Sequence, residues 1–366
     1  MITTKPDRAR RRAALGLAAA GALLLAACSG SPAATPTASG PASATPLRET
    51  KTLTVVTHDS FALSKELLAA FETKSGYAVT YVAPGDAGSL VNQMVLTKQA
   101  PLGDVVFGID NTFAGRALSE GIIAPYRAQA LPAGEASTFA ADDTGRLVPI
   151  DFGDVCVNAD LEWFRDKGLA VPATLDDLTK AEYKDLLVVP NAASSSPGLA
   201  FLAATVGAKG DPGYLDYWKA LKANGVLVAK DWTEAYTVQF SGSTGEGPRP
   251  LVLSYATSPA FEAEDGATPT GALLGTCFRQ VEYAGVIAGA QNEVGARAFI
   301  EFLLSPEAQA EIPEEMYMYP VVRTTPLPAD WVAFAPLSDK PFQVPASEIG
   351  AKRDAWIRAW TSLVIG

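Results

Sequence analysis

The chain has 366 residues, 48% of them hydrophobic, and a formal net charge of −11. That acidity excludes the ordinary nucleic-acid binders, which are basic, and a single histidine with three cysteines cannot assemble a usual metal cluster. GxSxG, Walker A and dinucleotide-binding signatures are absent, and His58 is followed directly by Asp59 and Ser60. Neighbours along a strand point to opposite faces, so these three cannot form a relay among themselves.

Lys5, Arg8, Arg10, Arg11 and Arg12 precede an apolar run from Ala13 to Ala27. The run is shorter than the roughly 20 residues of a membrane span. Leu25-Ala26-Ala27-Cys28 is similar to a lipobox, so residues 1–28 read as a lipoprotein signal peptide cleaved before Cys28, whose thiol would take the lipid. The expected location is the outer face of the cytoplasmic membrane, held by acyl chains. An ordinary signal peptide is the alternative, and Arg11-Arg12 leaves the general and the twin-arginine export routes both open. Residues 29–48, rich in Ala, Ser, Thr, Pro and Gly, read as a disordered tether. The leader takes five basic residues and one acid with it, leaving 24 basic against 39 acidic residues and a net charge of −15.

The remaining body, roughly 300 residues, is long for one core and natural for two lobes. Apolar strands alternate with amphipathic helices: strand Leu53–Thr57, helix Leu63–Phe71, strand Tyr77–Ala83, helix Ser89–Lys98, strand Asp104–Ile109, helix Phe113–Glu120. This alternation predicts an α/β fold with mainly parallel sheets. Ligands in such sheets sit beyond the carboxyl ends of the strands, where His58-Asp59-Ser60, the loop Asp86–Ser89 and Asp110-Asn111 all fall.

Leu147–Phe152 reads as a strand into a second lobe, followed by strand Val155–Asn158, helix Asp160–Asp166 and strand Leu186–Val189. Ser194-Ser195-Ser196-Pro197 then starts a helix, serine and proline being helix-start residues. Asp211–Lys222 carries Tyr214, Tyr217, Trp218 and Leu221 at helical spacing and is expected to be core. The segment Val226–Pro259 sets two short strands around a corner bearing Asp231, Trp232, Glu234 and Tyr236, and ends in Ser254-Tyr255-Ala256-Thr257-Ser258-Pro259. There a second serine–proline helix start stands beside aromatic faces suited to a flat or cationic ligand. Phe278–Ile287 is a returning strand, Gln291–Leu304 an amphipathic helix, Tyr317–Pro320 an extended segment, and Ser347–Leu363 a closing helix with Trp356 and Trp360 inward. Cys156 and Cys277 suggest a disulfide in an exported chain, or two buried thiols.

In chain order, Thr54 to Phe61, Asp104 to Asn111, Val148 to Gly153, Ser194 to Leu199, Lys230 to Tyr236, Leu251 to Ala260 and Met318 to Val321 resemble the thiamine-binding proteins of bacterial ABC importers. The resemblance implies a two-lobed periplasmic-binding-protein fold of type II with a hinge: lobe I from residues 49–150 plus roughly 284–320, lobe II from 151–283, and a C-terminal helical segment, 321–366, packed on both. It implies thiamine or its mono- or diphosphate as ligand, permease subunits in the membrane as partners, a monomer, and neither enzyme activity, cofactor nor metal. The matching positions are Asp86, Ala87, Ser195, Ser196, Trp232 and Tyr255 through Pro259, that is Tyr255, Ala256, Thr257, Ser258 and Pro259. His58 and Asp59, and Tyr317, stand where relatives carry tyrosine-aspartate and tryptophan, and are counted with them. On the residues themselves, Asp86 suits a cationic or amino group, Trp232 and Tyr255 suit rings, and the Ser196 and Ser258 helix starts suit a hydroxyl or phosphate. A bridge between Cys156 and Cys277 would lie within lobe II.

Two rival readings remain. A ferric-ion carrier uses an early histidine and paired tyrosines, and here Tyr255 is followed by Ala256. An exported hydrolase would draw on Asp110, Asp151 and Glu234, although no spacing singles out a pair for acid–base work.

Overall fold

The computed structural model describes residues 46–243 and 247–366. The signal peptide, Cys28 and the tether up to residue 45 lie outside the described residues.

Strand β1 (Thr52–Thr57), helix α1 (Lys65–Ser75), β2 (Ala78–Val82), α2 (Ala87–Leu96), β3 (Val105–Asp110) and α3 (Ala114–Ser119) follow the expected alternation. Local chemistry sets their ends. Ser64 Oγ accepts the Leu67 N–H to start α1, and Gly76 at φ 73° stops it in the left-handed conformation that glycine adopts without a Cβ clash. After α4 (Ala133–Thr138) comes β4 (Val148–Asp160). This single strand of 13 residues, buried throughout, replaces the two strands expected at Leu147–Phe152 and Val155–Asn158. Gly153-Asp154 breaks the apolar pattern without breaking the strand, because buried Asp154 is ion-paired to Arg279 and accepts the Ser338 N–H at 2.7 Å.

The chain continues through α5 (Leu161–Lys167), β5 (Leu187–Pro190), α6 (Ser196–Lys209), α7 (Gly213–Ala223), β6 (Leu227–Ala229), the short α8 (Trp232–Glu234), β7 (Leu251–Tyr255) and α9 (Ser258–Phe261). It closes with β8 (Thr270–Ala272), β9 (Phe278–Val286), α10 (Glu293–Leu303), α11 (Pro306–Glu315), β10 (Tyr319–Pro320), α12 (Ala329–Phe334) and α13 (Ala346–Trp360). α6 is buried from Ser196 to Val206, as a helix apolar on all sides must be.

One sheet joins the strands in the order β2-β1-β3-β9-β4-β7-β5-β6. The parallel pairing read from the sequence holds on both flanks, β2-β1-β3 and β7-β5-β6. The centre is antiparallel: β9 runs against both β3 and β4, and β4 against β7. Long returning strands make that centre, which strand–helix alternation cannot foretell. Tyr214, Tyr217, Trp218 and Leu221 of α7 are buried as expected, and Trp218 meets Trp360 of α13 edge to face at 5.5 Å. α13 thereby packs on α6 and α7, while also packing on α3 at the other flank. Among the described residues no helix is long and apolar enough to cross a membrane.

Candidate ligand cavity

A cavity of about 350 Å³ opens where the corner after β1, the starts of α2 and α6, and the segments around α8, β7 and α9 converge. Seven of the expected residues line it: His58, Asp86, Ser196, Trp232, Tyr255, Ser258 and Tyr317. The other six do not. Asp59 is exposed at the corner, its N–H bonded to the Gly85 carbonyl. Ala87 is the buried first residue of α2, and Ser195 the buried residue preceding α6. Ala256 donates its N–H to Asp154 O and packs on the Cys156–Cys277 disulfide. Thr257 donates its hydroxyl to the Tyr317 carbonyl, and Pro259 is buried in α9. Cys156 lies on β4 and Cys277 in the turn before β9.

The acidic side is built from helix starts. Gly88 lets α2 approach the serine loop, since a Cβ there would stand 2.7 Å from the Ser194 backbone. At that contact Asp86 Oδ1 accepts from Ala87 N at 2.7 Å and from Ser196 N at 3.3 Å, and buried Oδ2 has no partner. Burial pushes the Asp86 carboxyl above its ordinary range. Ser196 Oγ donates to Asp110 Oδ2, and burial lifts Asp110 to about 6 against the donations from Ser196 and Thr112. Two carboxyls of the protein therefore already occupy the start of α6. The hydroxyl or phosphate expected at Ser196 would share that helix start with them. At the Ser258 start, α9 has only four residues, and Ser258 Oγ is hydrogen-bonded to Ser254 Oγ at 2.8 Å.

Gly108, at φ 97°, makes room for His58, whose Cδ2 would lie 2.0 Å from a Cβ at that position. His58 Nδ1 accepts the Ser60 N–H at 3.1 Å, and Nε2 stands 3.4 Å from Glu282 Oε2. Burial works to lower the imidazole pKa, but the Glu282 charge and hydrogen bond outweigh it, and the net shift is upward. Tyr255 OH accepts from Gln280 Nε2 at 3.0 Å, and burial raises that phenol well above its usual value, keeping it neutral. Trp232 stacks on Tyr236 at 5.3 Å and 15°. Tyr317 adopts φ 52°, so the extended segment begins only at Tyr319.

Tyr236, Phe261 and Glu282 also line the cavity and were not among the candidate ligand residues. Glu282 had a signal: Gln280 and Glu282 are polar at alternate positions of the strand, on either side of apolar Val281. Asp110 and Asp151 are fully buried behind the wall, and Glu234 is tied to the Lys230 N–H, so the three acids of the hydrolase reading do not converge on the cavity. Among the described residues no cluster of His, Cys, Asp or Glu is placed to hold a metal ion. Among the described residues no lysine or arginine lines the cavity.

A mixed sheet flanked by helices, with an aromatic and acidic cavity fed by loops from both ends of the sheet, defines a periplasmic-binding-protein-like α/β ligand carrier. Residues 100–349 match the family model for bacterial extracellular solute-binding proteins. The chain is 30% identical over 323 residues to the thiamine-binding periplasmic protein of Brucella suis, covering 84% of this chain and 91% of that one. A solved periplasmic thiamin binding protein superposes with TM-score 0.75 at 28% identity, over 86% of this chain and 96% of the other. A ferric binding protein from Campylobacter jejuni superposes with TM-score 0.68 at 17% identity, over 85% and 99% of the two chains, a likeness of fold alone. The chain belongs to the bacterial extracellular solute-binding protein family.

Proposed function

We propose that this protein captures thiamine from outside the cytoplasmic membrane and delivers it, chemically unchanged, to the permease of an ABC importer. The observation that carries the reading is the cavity wall itself: the Trp232–Tyr236 stack and Tyr255 stand with Asp86 and Glu282, and among the described residues neither lysine nor arginine stands among them, His58 being the one titratable nitrogen base, paired with Glu282. Such a wall suits a flat aromatic cation with an amino group. The starts of α6 and α9 are engaged by the protein's own side chains, which favours thiamine over its phosphates. In this reading lobe I (49–150 and roughly 284–320) and lobe II (151–283) close about the crossing strands β4 and β9. The C-terminal segment 321–366 packs on both. Asp59, Ala87, Ser195, Ala256, Thr257 and Pro259 act as backbone and second-layer support for the residues that touch the ligand. The protein works as a monomer, tethered by residues 29–48 to a lipid on Cys28.

The test is titration of the purified protein with thiamine, its monophosphate and its diphosphate, followed by tryptophan fluorescence. Saturable quenching, tightest with thiamine, is expected. No response to thiamine overturns the reading, and colour on adding ferric salt in its place would favour iron, although Tyr255 is followed by Ala256 and not by a second tyrosine.

A further inference from the structure

Three acids stand abreast in the middle of the sheet. Glu282 on β9 is in register with Asp110 on β3 and with Asp151 on β4. Directly opposed residues on antiparallel strands leave the same face with Cβ atoms about 5 Å apart, and all three residues are buried. Carboxylates so close cannot all be charged. Asp110 is committed elsewhere, accepting from the N–H groups of Thr112 and Phe113 and from the hydroxyls of Thr112 and Ser196. Neither oxygen of buried Asp151 has a hydrogen-bond partner among the described residues, and burial together with the Glu282 charge raises its carboxyl well above the ordinary range. Two charges side by side in this buried site are therefore disfavoured.

Of the three acids, Glu282 alone reaches the cavity. Its carboxylate is held from two sides. Oε1 accepts from Gln280 Nε2 at 2.9 Å, the nitrogen that also donates to Tyr255 OH, and Oε2 lies 3.4 Å from His58 Nε2. Since His58 Nδ1 accepts the Ser60 N–H, the proton of the neutral ring sits on Nε2, toward Glu282. Asp86 faces the same space from the start of α2 and the exposed Glu315 from its rim, and among the described residues no lysine or arginine lines the cavity to answer these acids.

We propose that Glu282 is the residue that makes the cavity select a positively charged aromatic ring over a neutral ring of the same shape, with Asp151, Gln280 and His58 fixing its charge and position. The inference rests on the thiamine reading for its ligand. A fixed anion a few ångströms from a cationic ring, in a wall that excludes most water, discriminates by charge where stacking alone does not. Asp86 has a different task, because its carboxylate is held at the starts of α2 and α6, Oδ1 accepting the Ala87 and Ser196 N–H groups and the Ser195 hydroxyl standing beside it.

The experiment compares thiamine with deazathiamine, in which a neutral thiophene replaces the thiazolium, by calorimetry on wild type, Glu282→Gln, Glu282→Asp and Asp86→Asn. Wild type is expected to prefer thiamine by at least about tenfold, and Glu282→Gln, isosteric and verified as folded by its melting curve, to bring the two within about threefold. Glu282→Asp should restore part of the preference. Asp86→Asn should weaken both ligands and keep their ratio. An unchanged ratio in Glu282→Gln, or a ratio lost in Asp86→Asn and kept in Glu282→Gln, overturns the inference while leaving thiamine binding in place. Failure of wild type to bind either compound overturns the thiamine reading and this inference with it.

Discussion

The indole of Trp232 lies on the phenol of Tyr236, centroids 5.3 Å apart and planes 15° from parallel, while its Nε1–H donates to Ser254 Oγ at 2.9 Å. One face and one edge of the ring are thus fixed before any ligand arrives. A ring preorganised in this way spends little conformational entropy on binding.

Trp232→Ala is therefore expected to weaken thiamine binding by at least about tenfold. It also strips Tyr236 of its stacking partner and leaves Ser254 with one donor fewer, so the melting temperature falls modestly as well. Trp232→Phe keeps the stack, loses only the hydrogen bond, and should fall between. Calorimetric affinities and melting curves on the three proteins decide the matter; wild-type affinity in the alanine variant would remove the stacking claim.

Asp86 poses the opposite balance between binding and stability. Its ionised form is disfavoured by burial, and buried Oδ2 has no partner. Asp86→Asn keeps an oxygen for the Ala87 and Ser196 N–H groups and removes that cost, so the ligand-free protein should melt no lower at neutral pH, and higher if the charge dominates. The amide nitrogen then stands where a ligand amino group expects an acceptor. Thiamine affinity should drop by about tenfold. Loss of affinity accompanied by a lower melting temperature would instead make Asp86 chiefly a cap.

The flanks of the sheet were legible because their signals are local: period-two apolar strands, serine and aspartate caps, and Gly76 at a helix end. The centre was not. β4 runs through Gly153-Asp154 only because Arg279, more than a hundred residues away, neutralises Asp154, a long-range contact that no window on the sequence contains. The cavity divides the same way. Trp232, Tyr255, Asp86 and Ser196 were found from corners where strands give way to helices. Glu282 escaped because it lies mid-strand, and its meaning depends on the register that sets it between Asp110 and Asp151. The hydroxyl or phosphate expected at Ser196 and Ser258 raises a related point, since a helix start open in sequence is engaged in space by Asp86 and Asp110 or by Ser254.

That register has a consequence for pH dependence. Asp110 is lifted to about 6, Asp151 lies well above the usual carboxyl range, and His58 is raised by Glu282. Each binds its proton more tightly folded than unfolded, so its stabilising share is complete below the unfolded pKa and is lost as pH rises through the folded one. The surface carboxyls of Asp177, Glu120 and Glu135 are lowered and act in the reverse sense, but only below about pH 4.5. Stability should therefore decline from about pH 5 to pH 8. Asp151→Asn donates to Glu282 at every pH, and its melting temperature should change across that interval by at least about 2 °C less than that of wild type. Parallel melting profiles for the two proteins would remove Asp151 from the account.

The disulfide between Cys156 and Cys277 joins β4 to the turn before β9 and lies against Ala256, the residue after Tyr255. With the cysteines 121 positions apart, the bridge restrains a long stretch of the unfolded chain. Replacing both cysteines by alanine should cost about 2–5 kcal/mol of stability. Both sulfur-bearing residues are buried, so reductant added to the native protein reaches them slowly and the double variant is the cleaner comparison. Affinity should respond far less. β4 remains hydrogen-bonded to β7 and β9 on either side, Ala256 keeps its N–H bond to Asp154, and neither cysteine lines the cavity. A thiamine affinity within about threefold of wild type, beside a clearly lowered melting temperature, is the expected pair of results. A tenfold loss of affinity would instead show that the Tyr255–Ser258 arch depends on the bridge for its shape, and that the stability of this half of the sheet and the recognition of ligand are not separable.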